Sequence, residues 1–263
     1  MMPHQDEGQT TIRHDRRRLL AAGAALALGA PVPARAAGQW TKTPASDISD
    51  VSMVPAGHRA WLTGRNGTVW WTEDGTTFTQ VPGDGMKRIA AERDLNVFWT
   101  VGYNGTLWKC DYGRWIQTKG TGMADVAVGI DGMIWLTGLN GTVWFTSGSG
   151  QTFGQARGGE GFARVATDKF RNVLFVGSNG TLWFFDPSQT RWSQSRAQGM
   201  LDVSLNGPDS RIWLTGRNGS VWWTLDGDRF TQIEASGFES ISAQNEGSVW
   251  AVGTNGTLWR WKG

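Results

Sequence analysis

Asn-Gly followed by Thr or Ser recurs six times, at Asn66, Asn104, Asn140, Asn179, Asn218 and Asn255, with spacings of 38, 36, 39, 39 and 37 residues. A fixed period of this length marks a repeat architecture, in which each unit buries its apolar face against its neighbour. The frame around each copy is the same. A short run ending in Gly comes before it, as in Trp61-Leu62-Thr63-Gly64, and a Trp-bearing run comes after it, as in Thr68-Val69-Trp70. Two β-rich runs joined by Asn-Gly predict a hairpin with a type I′ turn, in which both central residues have positive φ.

Each repeat has two further runs. One precedes the hairpin and pairs a Val or Ile with a small residue: Val51-Ser52, Ile89-Ala90, Val126-Ala127, Val165-Ala166, Val203-Ser204 and Ile241-Ser242. The other follows the hairpin and carries one aromatic, Phe78, Trp115, Phe153, Trp192 or Phe230. The sixth copy of this last run is absent after Trp259, and Gln39-Trp40-Thr41 supplies it at the other end. An offset of this kind closes a ring. The expected fold is therefore all-β: a single six-bladed β-propeller of four-stranded blades, about 38 residues each, whose N-terminal strand completes the last blade. The small residues of the first run suit an innermost strand, where blades crowd the axis.

Composition agrees and excludes several function classes. There are 17 Trp and 37 Gly in 263 residues, but only 2 Tyr. Lys and Arg number 25 against 23 acids, without the basic stripe of a nucleic-acid binder. One cysteine, Cys110, rules out an intrachain disulfide and a Cys-rich metal site. No apolar run reaches the ~18 residues of a membrane span.

Residues 1–36 read as an export signal, and 37–263 as the propeller. A basic segment with Arg16-Arg17-Arg18 precedes the apolar stretch Leu19–Ala30, and Ala34-Arg35-Ala36 supplies a small-x-small cleavage pattern. The run Asp15-Arg16-Arg17-Arg18-Leu19-Leu20 resembles a bacterial twin-arginine signal. An ordinary secretory peptide is the alternative, so export before or after folding stays open. Either route implies a periplasmic or secreted protein. Without the leader's five arginines and three acids, 20 basic and 20 acidic residues remain, and His58 is the one histidine left.

Asp125-Val126-Ala127-Val128-Gly129-Ile130-Asp131-Gly132-Met133-Ile134-Trp135, followed by Asn140-Gly141-Thr142-Val143-Trp144, resembles the repeat of tectonin-type β-propellers, and the match runs over residues 40–263. Thr72-Glu73-Asp74-Gly75-Thr76-Thr77-Phe78 and Thr224-Leu225-Asp226-Gly227-Asp228-Arg229-Phe230 also resemble the Asp-box turns of sialidase-like propellers, one residue short. In those families the box is structural. The tectonin resemblance implies non-catalytic, lectin-like recognition of surface glycan or lipopolysaccharide at repeated rim sites, weak singly and stronger together; a monomer is expected.

Most Trp recur at blade spacing and read as packing. Trp71 and Trp223 share one extra position in blades 1 and 5, which Phe145 holds in blade 3, while even blades carry Lys109, Phe184 and Arg260. Thr63, Thr137 and Thr215 likewise alternate with Val101, Val176 and Val252. The unit is then a pair of blades used three times, either from duplication or because three like sites exist. Arg65 and Arg217 precede the Asn-Gly turns of blades 1 and 5. Aromatic faces stack on a pyranose and Arg pairs with acidic or hydroxyl groups, so Trp71, Trp223, Phe145, Arg65 and Arg217 are the candidate carbohydrate-binding residues. The alternatives are a periplasmic protein–protein interaction scaffold using the rim loops and, behind it, a sialidase-like enzyme. No catalytic constellation, metal set or cofactor motif stands out. The Asn-Gly-Thr/Ser triplets match glycosylation acceptors, but turn chemistry already explains them.

Overall fold

The computed structural model describes residues 38–55, 57–129, 131–167, 172–205, 211–243 and 248–262; the expected export signal at 1–36 lies outside them. All regular structure among the described residues is strand. After β1 (Gln39–Lys42), blade 1 is β2 (Ile48–Met53), β3 (Ala60–Gly64), β4 (Val69–Thr72) and β5 (Thr79–Val81). Blade 2 is β6 (Met86–Ala91), β7 (Val97–Gly102), β8 (Leu107–Asp111) and β9 (Arg114–Gln117). Blade 3 is β10 (Met123–Val128), β11 (Met133–Gly138), β12 (Val143–Ser147) and β13 (Phe153–Gln155). Blade 4 is β14 (Phe162–Thr167), β15 (Val173–Gly177), β16 (Leu182–Asp186) and β17 (Arg191–Gln194). Blade 5 is β18 (Met200–Leu205), β19 (Ile212–Gly216), β20 (Val221–Thr224) and β21 (Phe230–Ile233). Blade 6 is β22 (Phe238–Ala243), β23 (Ser248–Gly253), β24 (Leu258–Lys262) and, from the other end of the chain, β1.

Each blade is an antiparallel sheet whose strands follow chain order, except that β1 pairs with β24, Trp40 opposite Trp261. The innermost strands touch in sequence round the axis, and β22 against β2 closes the ring. The six-bladed propeller with an N-terminal closing strand is thus the observed architecture. Second strands such as β3 and β15 are buried at every residue, because a neighbouring blade covers each face of the sheet.

All six innermost strands carry a bulge at the same place, between their first and third residues, as at Ile48/Asp50 and Met86/Arg88. The extra residue lets Ile48 and Val51 both enter one interblade cluster while Asp50 turns to the axis.

The blade interfaces are of two alternating kinds. From odd to even blades the clusters are aromatic: Trp61 with Phe98, Trp135 with Phe175, and Trp213 with Trp40 and Phe238. Polar stitches accompany them. Asp50, Asp125 and Asp202 accept the Ile89, Val165 and Ile241 amides at 2.9–3.0 Å, and Thr63, Thr137 and Thr215 donate to the Lys87, Ala163 and Glu239 carbonyls. From even to odd blades, the Asp-box-like turn presses on its predecessor. A Cβ at Gly75 would come within 2.9 Å of Trp250, and one at Gly150 within 3.1 Å of Trp99.

Candidate functional site on the turn rim and the axis

The Asn-Gly turns differ from the type I′ expectation. Positive φ is confined to the glycine, +86° at Gly67, and none of the six asparagines shares it. Gly67 N donates to Gly64 O at 2.9 Å and Gly64 N to Thr68 O at 2.7 Å, which is a three-residue loop with a type I turn and a left-handed glycine. The reason is a side-chain relay. Trp70 Nε1 donates to Thr68 Oγ1 at 2.8 Å, and Thr68 Oγ1 donates to Asn66 Oδ1 at 2.6 Å. The same relay recurs in every blade, ending with Trp259, Thr257 and Asn255.

These turns form one rim with the loops before the innermost strands. Each turn glycine accepts the first amide of the next blade, from Met86 N on Gly67 O at 3.0 Å round to Ile48 N on Gly256 O at 2.9 Å. The residue before each Asn stands on this rigid belt. Arg65 reaches back to Thr254 O at 2.6 Å and pairs with Glu239 at 3.0 Å. Arg217 donates to Ser178 O, and Tyr103 Oη donates to Arg65 O at 2.8 Å. The two arginines are exposed but tied to the preceding blade. Tyr103 and Leu139, on adjacent blades, are 52% and 67% exposed. Residue-type reasoning passed over both, although each stands directly before an Asn-Gly.

Trp71, Phe145 and Trp223 lie on the third strands of blades 1, 3 and 5, half-buried and packed against three separate odd-to-even clusters. The structure does not bring them together. The Arg59 guanidinium caps Trp71 at 4.0 Å from the ring centroid, held there by Glu73 at 2.9 Å and the Leu95 carbonyl at 3.1 Å. Arg211 lies 4.8 Å from the Trp223 centroid. Phe145 lies against Gly154, where any Cβ would overlap the ring.

The axis holds a constellation that the reading by residue type missed. The third residue of each innermost strand points inward, in the order Asp50, Arg88, Asp125, Arg164, Asp202, Ser240. Arg88 Nη1 bonds Asp50 at 3.0 Å, while Arg88 Nε stands 3.8 Å from Asp125 and Arg164 Nε 3.6 Å from Asp202. Ser240 Oγ donates to Asp50 at 2.7 Å. Burial pushes the Asp125 carboxyl up to about 8, against the pull of Arg88, with Asp202 and Asp50 adding to the rise. Asp202 is raised for the same first reason. Burial also works against the charge of Arg88, but the three carboxylates outweigh it and hold the guanidinium firmly protonated. The signal was present, since Asp and Arg alternate at one repeat position, yet it shows only when the six strands are superposed.

Elsewhere, Cys110 is buried in the cluster between blades 1 and 2, and that burial raises its thiol. Among the described residues no group of three His, Cys, Asp or Glu is placed to hold a metal ion, and no helix is long and apolar enough to cross a membrane.

No known family profile matches the chain, and no curated protein matches it by sequence. Solved structures do. The structure described as YCF48 bound to D1 peptide has a TM-score of 0.60 at 18% identity, covering 89% of this chain and 99% of its own. YCF48 from Cyanidioschyzon merolae has a TM-score of 0.58 at 14% identity, over 84% and 98%. A structural genomics protein of unknown function from Bacteroides thetaiotaomicron has a TM-score of 0.67 at 11% identity, over 85% and 72%. At these identities the likeness shows the fold alone.

Proposed function

We propose that this protein is an exported, non-catalytic interaction propeller whose turn rim holds an extended segment of another protein. The observation that carries this is the pairing of exposed Tyr103 and Leu139 at one position of adjacent blades, on a belt of backbone hydrogen bonds. A rigid surface loses little entropy when a partner docks, and large side chains at its centre supply most of the binding energy. Arg65 on the blade before Tyr103, and Arg217 two blades beyond Leu139, give polar groups on the same rim already fixed in direction. The structural likeness to a propeller described with a bound peptide supports the same use of the fold. Export rests on the twin-arginine-like leader at 1–36.

Glycan recognition by a tectonin-like lectin is the second reading, favoured by the repeated Arg-over-Trp pairs in blades 1 and 5. A sugar stacking on Trp71 would have to displace Arg59. One comparison separates the two. The purified protein is used to capture partners from an exported fraction and is applied to a glycan array with lipopolysaccharides. Interaction through the rim predicts a stoichiometric partner, weakened about thirtyfold when Tyr103→Ser and Leu139→Asp are combined. Selective sugar binding that is lost in Trp71→Ala with Trp223→Ala, and unchanged in the rim variant, would overturn it.

A further inference from the structure

The axial ring repeats with threefold logic but is one guanidinium short. Odd blades give Asp50, Asp125 and Asp202, and even blades give Arg88, Arg164 and then Ser240. Ser240 Oγ reaches only Asp50, at 2.7 Å. On the side of Asp202 that faces blade 6, the Ile241 amide is the donor, at 3.0 Å. Three carboxylates therefore share two arginines, and the sharing is incomplete. Arg88 is spent on Asp50, and its Nε, with 92% of the side chain buried, has no hydrogen-bond acceptor. Its distance to Asp125 is 3.8 Å, and that from Arg164 Nε to Asp202 is 3.6 Å, both beyond hydrogen-bond length.

A cavity of about 300 Å³ runs from this ring along the axis. Its wall is a tier of small residues such as Ser52, Ala127 and Ser242, and its far end is lined by Pro55 and Arg93, in the connections that follow β2 and β6. That volume is at the small end of ligand pockets and far above a single water. Asp50 and Asp202 both line it, and blade 6 joins the wall between them at Ile241 and Ser242, next to buried Ser240.

We propose that the axial cavity binds a small organic cation with a guanidinium head and a short aliphatic tail, the head lying between Asp202 and Asp50 beside Ser240. A planar fork matches two carboxylates, as Arg88 does between Asp50 and Asp125. With Asp50 so engaged, Arg88 is free to close on Asp125, which gives its Nε an acceptor. The alanine methyls and serine hydroxyls of the wall accept a thin chain. Among the described residues the charged groups of the ring around the head are Asp50, Arg88, Asp125, Arg164 and Asp202. Burial first, and the neighbouring carboxylates second, keep a proton on the ring when the site is empty, so the cation displaces a proton as it binds.

The test is calorimetry and thermal unfolding of the purified protein with n-butylguanidinium, against potassium at equal ionic strength. The expected result is one site, a rise in melting temperature with butylguanidinium only, and proton release seen as a binding heat that depends on the buffer. Ser240→Arg places a guanidinium in the site and should abolish binding. Asp202→Asn keeps the shape and should weaken binding about tenfold or more, which covers the case in which the arginine variant fails to fold. No binding at millimolar concentration, or binding undiminished in a folded variant of either kind, would overturn the proposal. Neither outcome depends on what occupies the rim.

Discussion

At the scale of single residues, burial and backbone hydrogen bonds move four acids in opposite ways. Asp125 and Asp202 are shielded at the axis, and burial raises both carboxyls, Asp125 to about 8 from an ordinary 3.8. Asp74 and Asp226 cap exposed Asp-box-like turns, where two amides each, Thr76 and Thr77 or Asp228 and Arg229, lower them. A carboxyl raised by folding holds a proton that the unfolded chain releases. Its stabilisation is complete below its ordinary value and is lost as pH rises through the folded value. The lowered acids stabilise above their ordinary value and cease to as pH falls. Thermal unfolding at constant ionic strength should therefore show stability declining from about pH 4 to about pH 8, with a separate loss at lower pH. Asp125→Asn should flatten the upper slope; an unchanged slope would place the proton elsewhere. Asp50 completes the ring as the acid that Arg88 and Ser240 both satisfy.

At the scale of elements, the Asn-Gly-Thr/Ser-x-Trp unit is a device for carrying a large indole between two blades with its N–H satisfied. Thr or Ser is needed because only a hydroxyl can accept from Trp and donate to Asn in the same place. The glycine has two separate duties, a left-handed φ and close approach to the next blade. A Cβ at Gly67 would lie 2.5 Å from Gly85 N, whereas Gly113, at φ +81°, has nothing within 4 Å of that point. Gly113→Ala should cost about 1–2 kcal/mol from backbone strain alone. Gly67→Ala should cost at least about 1 kcal/mol more, because a backbone must move. Equal losses in denaturant unfolding would mean that the belt yields at no cost. The hairpins were legible in the sequence. Their turn type was not, because Asn-Gly suits two turn geometries and the Thr side chain selects between them.

At the scale of the molecule, the blades act in pairs. An odd blade offers an Asp, a Thr and an aromatic face to the even blade ahead of it, and the next odd blade returns an Asp-box-like turn. This alternation accounts for the extra aromatic at Trp71, Phe145 and Trp223 as packing within a pair, whatever else those residues do. Closure combines contacts of blade 6 with blade 1, among them the backbone bond from Ile48 to Gly256 and the side-chain bond from Ser240 to Asp50, with strand β1, whose Trp40 stacks on Phe238 with centroids 4.7 Å apart. Trp40→Ala should cost about 3 kcal/mol, as for a large aromatic removed from a packed site. Unfolding should stay a single transition, because the belt still closes the ring. A split transition would show that β1 alone makes the blades cooperative.

Period, patterning and turn residues determined by themselves the strand count, the blade count and the circular offset, because these follow from local chemistry repeated at a fixed interval. The odd-even alternation was visible as letters. Its meaning was decided only by tertiary structure: Thr63 and Lys87, or Asp50 and Ile89, are dozens of residues apart in the chain and meet only across a blade interface. The axial ring is the clearest case. A bulge one residue long turns six separate side chains inward, and whether they balance depends on which neighbours the closed ring gives them.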